Sequence, residues 1–157
     1  MLKFVKGDMF KTWANVRVNT VNCKGVMGKG IALEFKRRYP QMFDWYKEEC
    51  KKGTILPGGI SLCITEEGPL VINFATKDHW KDPSRYEWIE KGLKQTRDLI
   101  KNCKYGRDIT ITIPALGCNN GGLEWRKVKP LMKKYLSGHK CQILVFEPLE
   151  VETVTRL

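Results

Sequence analysis

Asn19-Thr20-Val21-Asn22-Cys23-Lys24-Gly25-Val26-Met27-Gly28-Lys29-Gly30-Ile31-Ala32 reads as the end of a strand, a loop with three glycines and the start of a helix. The glycines leave backbone N–H groups unobstructed, and the helix behind them adds a partial positive charge. Such a segment is a seat for a diphosphate. Its spacing is neither G-x-G-x-x-G nor G-x-x-x-x-G-K-[ST]. Asn19 and Asn22 stand just before the glycines, where side-chain amides can hydrogen-bond a sugar. The expectation is a nucleotide-sugar ligand. The alternative is an ordinary strand-to-helix turn that happens to be rich in glycine.

Working outward, strand-like segments lie at Leu2–Lys6, Val16–Val21, Ile60–Thr65, Leu70–Ala75, Asp108–Pro114 and Cys141–Glu147. Helical stretches alternate with them. Gly30–Tyr39 is the first, and Pro40 suits the first turn of the next, which runs towards Lys52. Ser84-Arg85-Tyr86-Glu87 has the form of a capping box, opening a helix whose apolar positions Tyr86, Ile89, Leu93, Leu99 and Ile100 fall near helical spacing. A last helix covers Trp125 to Leu136, with Pro130 marking its true start or a kink. Alternating strands and helices give an α/β sandwich in one domain spanning residues 1–157.

In open α/β sheets, ligands bind beyond the carboxyl ends of strands. That rule selects three loops: Asn22–Gly30, Thr76–Trp80 and Leu116–Leu123. Lys77 follows a buried-looking strand, so partial burial would lower its pKa and suit it to nucleophilic or acid/base work. A surface lysine is the bland alternative. His79 can contact a base or serve as a hydrogen-bonded structural residue, and Trp80 can stack on a nucleobase or cap the core. The third loop, Gly117-Cys118-Asn119-Asn120-Gly121-Gly122-Leu123, combines glycines and asparagines that tolerate positive φ and can curl around an anion. Cys118 has no histidine near it in sequence and reads as packing. Asp8 fits either an adenine amino group or a helix cap.

With 157 residues, 42% hydrophobic and 29% charged, the chain is long enough for a core without staples. No run reaches the length of a membrane span, and Met1–Lys6 is too short and charged for a signal peptide. Six cysteines with no C-x-x-C pair read as reduced thiols of a cytoplasmic protein, with no metal site. Lys plus Arg total 28 against 17 Asp plus Glu, a formal net charge of +11, which favours a polyanionic partner. Basic clusters occur at Lys36-Arg37-Arg38, Lys51-Lys52, Lys101 to Arg107 and Lys127 to Lys134. Each one by itself reads as a solvated helix face.

Gly7-Asp8, Val18–Asn22 with Gly25–Ala32, Asn73-Phe74-Ala75-Thr76-Lys77 and Gly117–Leu123 together resemble a macrodomain. Within that superfamily the chain is similar to the DNA ADP-ribosyl glycohydrolase antitoxins (the DarG type), which are related to the human terminal ADP-ribose glycohydrolase. The resemblance runs from Leu2 to about Glu147. It implies a three-layer α/β/α fold with a central mixed sheet of about six strands. The implied activity is removal of ADP-ribose from thymidine bases in DNA, with no cofactor and with ADP-ribose as ligand and product.

By position, the resemblance places Asp8 at the adenine and the loop of Val26, Met27, Gly28, Lys29, Gly30, Ile31 and Ala32 on the diphosphate, and Met9, Asn19, Gly25 and Thr76 are further expected contacts to ADP-ribose. Asn22 falls beside the distal ribose. Gly117, Cys118, Asn119, Asn120, Gly121, Gly122 and Leu123 would close over the phosphates and that sugar. Lys77 matches the catalytic lysine, with Asn22 beside it. His79, Trp80 and Arg85 are candidates to touch DNA, expected single-stranded. The acid that assists in the human relative falls near Gly121, so this chain departs from that pattern and agrees with the bacterial antitoxins. Asn119-Asn120 replaces the Gly-Leu pair more usual in the antitoxin loop. The implied protein is a monomer with a toxin partner and no membrane attachment. Two other readings remain: a phosphatase or deacetylase acting on small ADP-ribose derivatives, and a non-catalytic ADP-ribose reader.

Overall fold

The computed structural model describes residues 1–66, 68–103 and 106–148. Lys104, within one expected basic cluster, and the end of the expected domain after 148 lie outside the described residues. Six strands form one sheet: β1 (Leu2–Val5), β2 (Val16–Val21), β3 (Ile60–Ile64), β4 (Leu70–Ala75), β5 (Thr110–Pro114) and β6 (Gln142–Phe146). Their order is β1-β6-β5-β2-β4-β3, and only the β3–β4 pairing is antiparallel. The four helices are α1 (Gly30–Arg38), α2 (Pro40–Lys51), α3 (Tyr86–Lys101) and α4 (Trp125–Leu136).

The apolar strands are buried because helices cover both faces. Val18, Ile72, Phe74, Ile111 and Ile113 face α3 and α4, meeting Ile89, Leu93, Val128 and Met132. Val21, Val71 and Ala75 face α1 and α2, meeting Phe35, Met42 and Tyr46. The result is the three-layer α/β/α arrangement with a mixed six-stranded sheet. β2, β4 and β5 lie side by side and parallel, so the loops after them share one end of the sheet.

Two expectations change. Ser84 does not cap α3: the helix begins at Tyr86 with Arg85 at the cap position and no side-chain cap bond. Ser84 is buried instead, its N–H donating to the Gly121 carbonyl (2.9 Å), while Glu87 pairs with Arg85 at 3.7 Å. The third loop takes the serine that would otherwise have capped the helix. Pro130 does not start α4, which begins at Trp125 and runs through it. The proline is on the solvent side, where water can reach the carbonyl it leaves unbonded.

α3 sits so close to β4 that a Cβ added at Gly92 would overlap the Phe74 ring. Gly92→Ala is therefore expected to cost about 1–3 kcal/mol by overpacking. A lower urea midpoint with an unchanged m-value would report it.

Candidate functional site

At the carboxyl end of β2, the chain is held by one side chain from another layer. Tyr46 of α2 donates its hydroxyl to the Asn22 carbonyl (2.6 Å) and lies 3.1 Å from Asn22 Oδ1. The Asn22 amide then organises the loop. Its Nδ2 donates to the Val26 carbonyl (2.7 Å), and Oδ1 accepts from the Lys24 N–H (2.9 Å). Gly25, at φ +80°, turns the chain in a conformation that L side chains rarely adopt. Burial pushes the Tyr46 phenol well above its ordinary pKa, so it stays a donor.

The loop delivers an open helix end. α1 has Lys29 at its cap position and no side-chain cap bond. The first N–H groups of a helix have no intrahelical partner, so those of Gly30, Ile31 and Ala32 face the cleft with the positive end of the dipole behind them. Gly30 takes φ +54°, and a Cβ there would lie 2.9 Å from Asn120 Nδ2. The first and third loops thus meet across the helix end.

The second loop is tied to the first through the backbone. Thr76 N–H donates to the Val21 carbonyl (3.0 Å), and Cys23 N–H to the Asp78 carbonyl (2.8 Å). Lys24 and Asp78 pair at 3.7 Å. Lys77 lies half-buried beside them, its Nζ 3.3 Å from the Trp80 carbonyl. Burial holds its pKa below the ordinary lysine value, the nearby positive Lys29 lowers it further, and Asp82 opposes both. His79 Nδ1 accepts from the Lys81 N–H (3.1 Å), leaving Nε2 as the donor, and its ring leans on Trp80 with centroids 5.2 Å apart. Trp80 is 46% exposed. Arg85 lies over the Trp88 ring at 4.9 Å.

In the third loop, Gly117 and Gly122 supply the positive φ angles; Asn119 and Asn120 do not, and no non-glycine among the described residues does. Leu123 N–H closes the loop on the Gly117 carbonyl (3.0 Å). A Cβ at Gly121 would collide with the Gly117 carbonyl oxygen and with Ser84 Oγ. No acidic side chain fits there. Burial raises the Cys118 thiol to about 11 and the Cys23 thiol to about 12, which keeps both protonated and out of nucleophilic chemistry at neutral pH.

A Macro domain family model matches residues 18–132. The chain belongs to the macrodomain family. Over 156 residues it is 40% identical to a DNA ADP-ribosyl glycohydrolase from Thermus aquaticus, covering 96% of this chain and 42% of that protein. The macrodomain of Mycobacterium tuberculosis DarG superposes with a TM-score of 0.85 at 38% identity, covering 94% of this chain and 98% of that one. Thermosipho africanus DarTG in complex with ADP-ribose gives 0.83 at 35% identity, covering 94% and 42%. This macrodomain thus spans about two fifths of the length of its full-length relative from Thermus aquaticus.

Around the α1 end the structure brings Asn22 to Val26 by a hydrogen bond, Gly30 close to Asn120, and Lys77 within the field of Lys29. Several expected ligand contacts lie elsewhere. Asn19 is fully buried and donates to Asn73 Oδ1 (3.1 Å), so it braces the strands instead of meeting a sugar. The Met27 and Met9 side chains are core residues and Leu123 packs beneath its loop, leaving only backbone to offer. Thr76 is buried. Asp8 is exposed and caps the short 3₁₀ turn Met9–Lys11 through the Phe10 N–H (2.9 Å). The sequence does not single out Tyr46 or Asp82, and it misplaces Ser84, Asn19 and Met27. Only tertiary contact identifies them.

Tyr46→Phe would strip the Asn22 carbonyl of its buried donor, at a cost of about 1–3 kcal/mol. Urea denaturation is expected to show that loss, and calorimetry with ADP-ribose a weaker affinity as the first loop loosens.

Proposed function

We propose that this macrodomain is an ADP-ribosyl glycohydrolase that removes ADP-ribose from thymidine in DNA. The observation that carries the reading is Lys77. A lysine with a lowered pKa stands at the end of β4, within the field of Lys29 at the uncapped end of α1. The DarG macrodomain at 38% identity and the DNA ADP-ribosyl glycohydrolase at 40% support the same chemistry.

In this proposal the diphosphate lies on the N–H groups of Gly30–Ala32, with Val26–Lys29 and the Gly117–Gly122 loop on either side. Asp8 offers its free carboxylate oxygen to the adenine amino group. Asn22 holds the loop beside the distal ribose; its amide is already engaged with Val26 and Lys24, so its part is positioning. The neutral Lys77 amine gives its lone pair to the anomeric carbon as the bond to the base breaks; the base leaves with the bonding electrons and takes up the proton that the resulting ammonium sheds. Water then displaces the amine, its oxygen bonding the anomeric carbon and one of its protons returning to the lysine nitrogen, so that free ADP-ribose and neutral Lys77 result. His79 and Trp80 provide a surface for the departing base, and Arg85 a cation for the strand.

We place the protein in the cytoplasm as a monomer that acts with a DNA-modifying toxin and repairs its lesion. Six free cysteines suit a reducing compartment, and no described helix is long and apolar enough to cross a membrane. The toxin partner follows the antitoxin type that the chain resembles.

Lys77→Ala is expected to slow release of ADP-ribose from thymidine-modified single-stranded DNA by about 100-fold or more, while calorimetry shows ADP-ribose still bound. Undiminished turnover would remove Lys77 from the mechanism. Turnover of ADP-ribose 1″-phosphate in place of the DNA substrate would favour small-molecule chemistry. The pH profile offers a second check. Because the lysine acts neutral, kcat rises with pH and levels off below the pH at which a free lysine deprotonates. Lys29→Gln removes a positive neighbour, raises the Lys77 pKa and should move that rise to higher pH.

A further inference from the structure

α4 differs from the other helices in its outer face. Arg126, Lys127, Lys129, Lys133 and Lys134 share one stripe with Pro130, and no carboxylate lies among them. Along α2 and α3 the basic residues are interspersed with Asp44, Glu48 and Glu49, or with Glu87, Glu90 and Asp98. The helix dipole does not account for this pattern. It favours Lys133 and Lys134 in the last turn but disfavours Arg126 and Lys127 in the first.

What holds these side chains is mostly aromatic. Lys129 and Lys133 lie over the Phe4 ring at 4.7 and 5.7 Å, Lys134 over Tyr135 at 5.2 Å, and Lys127 over Tyr86 at 5.6 Å. A ring face positions a cation without neutralising it. Glu124 pairs with Arg126 and Lys127, and Glu147 with Lys129, all from outside the stripe. Lys133 and Lys134 make no ion pair within 4 Å among the described residues, although Glu90 of α3 lies within the field of Lys134. Four lysines thus lie against rings, and Lys133 and Lys134 make no salt bridge of their own.

The stripe also starts at the cleft. α4 follows Leu123 of the third loop, and the Glu124 N–H donates to the Tyr86 hydroxyl (3.0 Å), joining the starts of α3 and α4. From Arg126 to Lys134 the helix rises about 12 Å. At about 3.4 Å per phosphate along one strand of a duplex, and more when a strand is stretched, that length spans a few phosphates.

We propose that the outer stripe of α4 binds the phosphodiester backbone of single-stranded DNA leading away from the modified nucleotide. The assignment deepens the glycohydrolase reading and rests on it for the identity of the strand, although DNA binding by the stripe is testable without turnover. Each neutralised phosphate contributes about 0.7 to the magnitude of the salt slope for single strands. Lys133→Gln/Lys134→Gln should therefore flatten the slope by about 1.4.

The test is fluorescence anisotropy of a labelled, unmodified oligothymidylate over a range of salt concentrations. Three intact proteins are compared: wild type, the α4 double variant and Lys51→Gln/Lys52→Gln at the C-terminal end of α2, where both lysines are ion-paired. The expected result is a flattened slope and roughly tenfold weaker binding at low salt for the α4 variant alone. In parallel, ADP-ribosyl-thymidine as a single nucleoside should be turned over equally by all three, and the modified oligonucleotide more slowly by the α4 variant. An unchanged slope in the α4 variant, or an equal loss in the α2 variant, overturns the proposal. Salt-sensitive binding through α4 without turnover of either substrate would uphold the surface and overturn the glycohydrolase reading.

Discussion

The register between β2 and β4 is the constraint on which the site depends. Asn19 and Asn73 are register partners, and their side chains hydrogen-bond at 3.1 Å in an otherwise apolar layer. Met27 and Met42 sulfurs lie against the same two amides at 3.8 and 3.5 Å. A slip of one residue would turn every side chain of a strand to the opposite face. Here it would also leave two buried amides apart, each at about 1–3 kcal/mol. The pair thus penalises any misalignment. Val21 is then opposite Ala75, and the loops that follow leave the sheet at the same level.

The rest of the site follows from that alignment. Thr76 and Cys23 exchange backbone bonds with the neighbouring loop, which fixes Lys77 relative to the first loop. Tyr46 locks Asn22 from α2, and Asn22 shapes the glycine turn that presents the α1 end. The third loop enters from β5 and is pressed against Ser84 so tightly that Gly121 has room for no side chain. These contacts are backbone-to-backbone or use side chains that no ligand needs to touch. They leave the exposed amides of the helix end and the lysine amine as the groups free to act.

The glycine loop, the lysine after an apolar strand and the second glycine-asparagine loop were all legible in the sequence. Each is a local pattern, and the rule that ligands bind beyond strand ends joined them. The six strands and four helices were also legible, to within a residue or two at their ends, because apolar runs and helical spacing report burial directly. Residue type alone misassigned other positions. Asn19 and Asn22 share the same chemistry three positions apart, yet Asn19 points into the α1–α2 layer and Asn22 turns into the loop. Ser84 has the spacing of a cap, but the third loop claims its N–H first. Met27 stands inside the glycine loop and still sends its side chain to the core.

By itself, then, the sequence determined the alternating strands and helices, the glycine loop that leads into a helix, the basic balance and the lysine that follows an apolar strand. Those features depend on periodicity, composition and turn chemistry, which are written within a few residues of one another. Only the tertiary structure decided which asparagine braces the sheet, that Tyr46 holds the first loop, that no acid fits at Gly121, and that lysines of α4 rest on Phe4 and Tyr86. Those outcomes depend on contacts between residues remote in the chain. Their geometry exists only after the strands have taken their register.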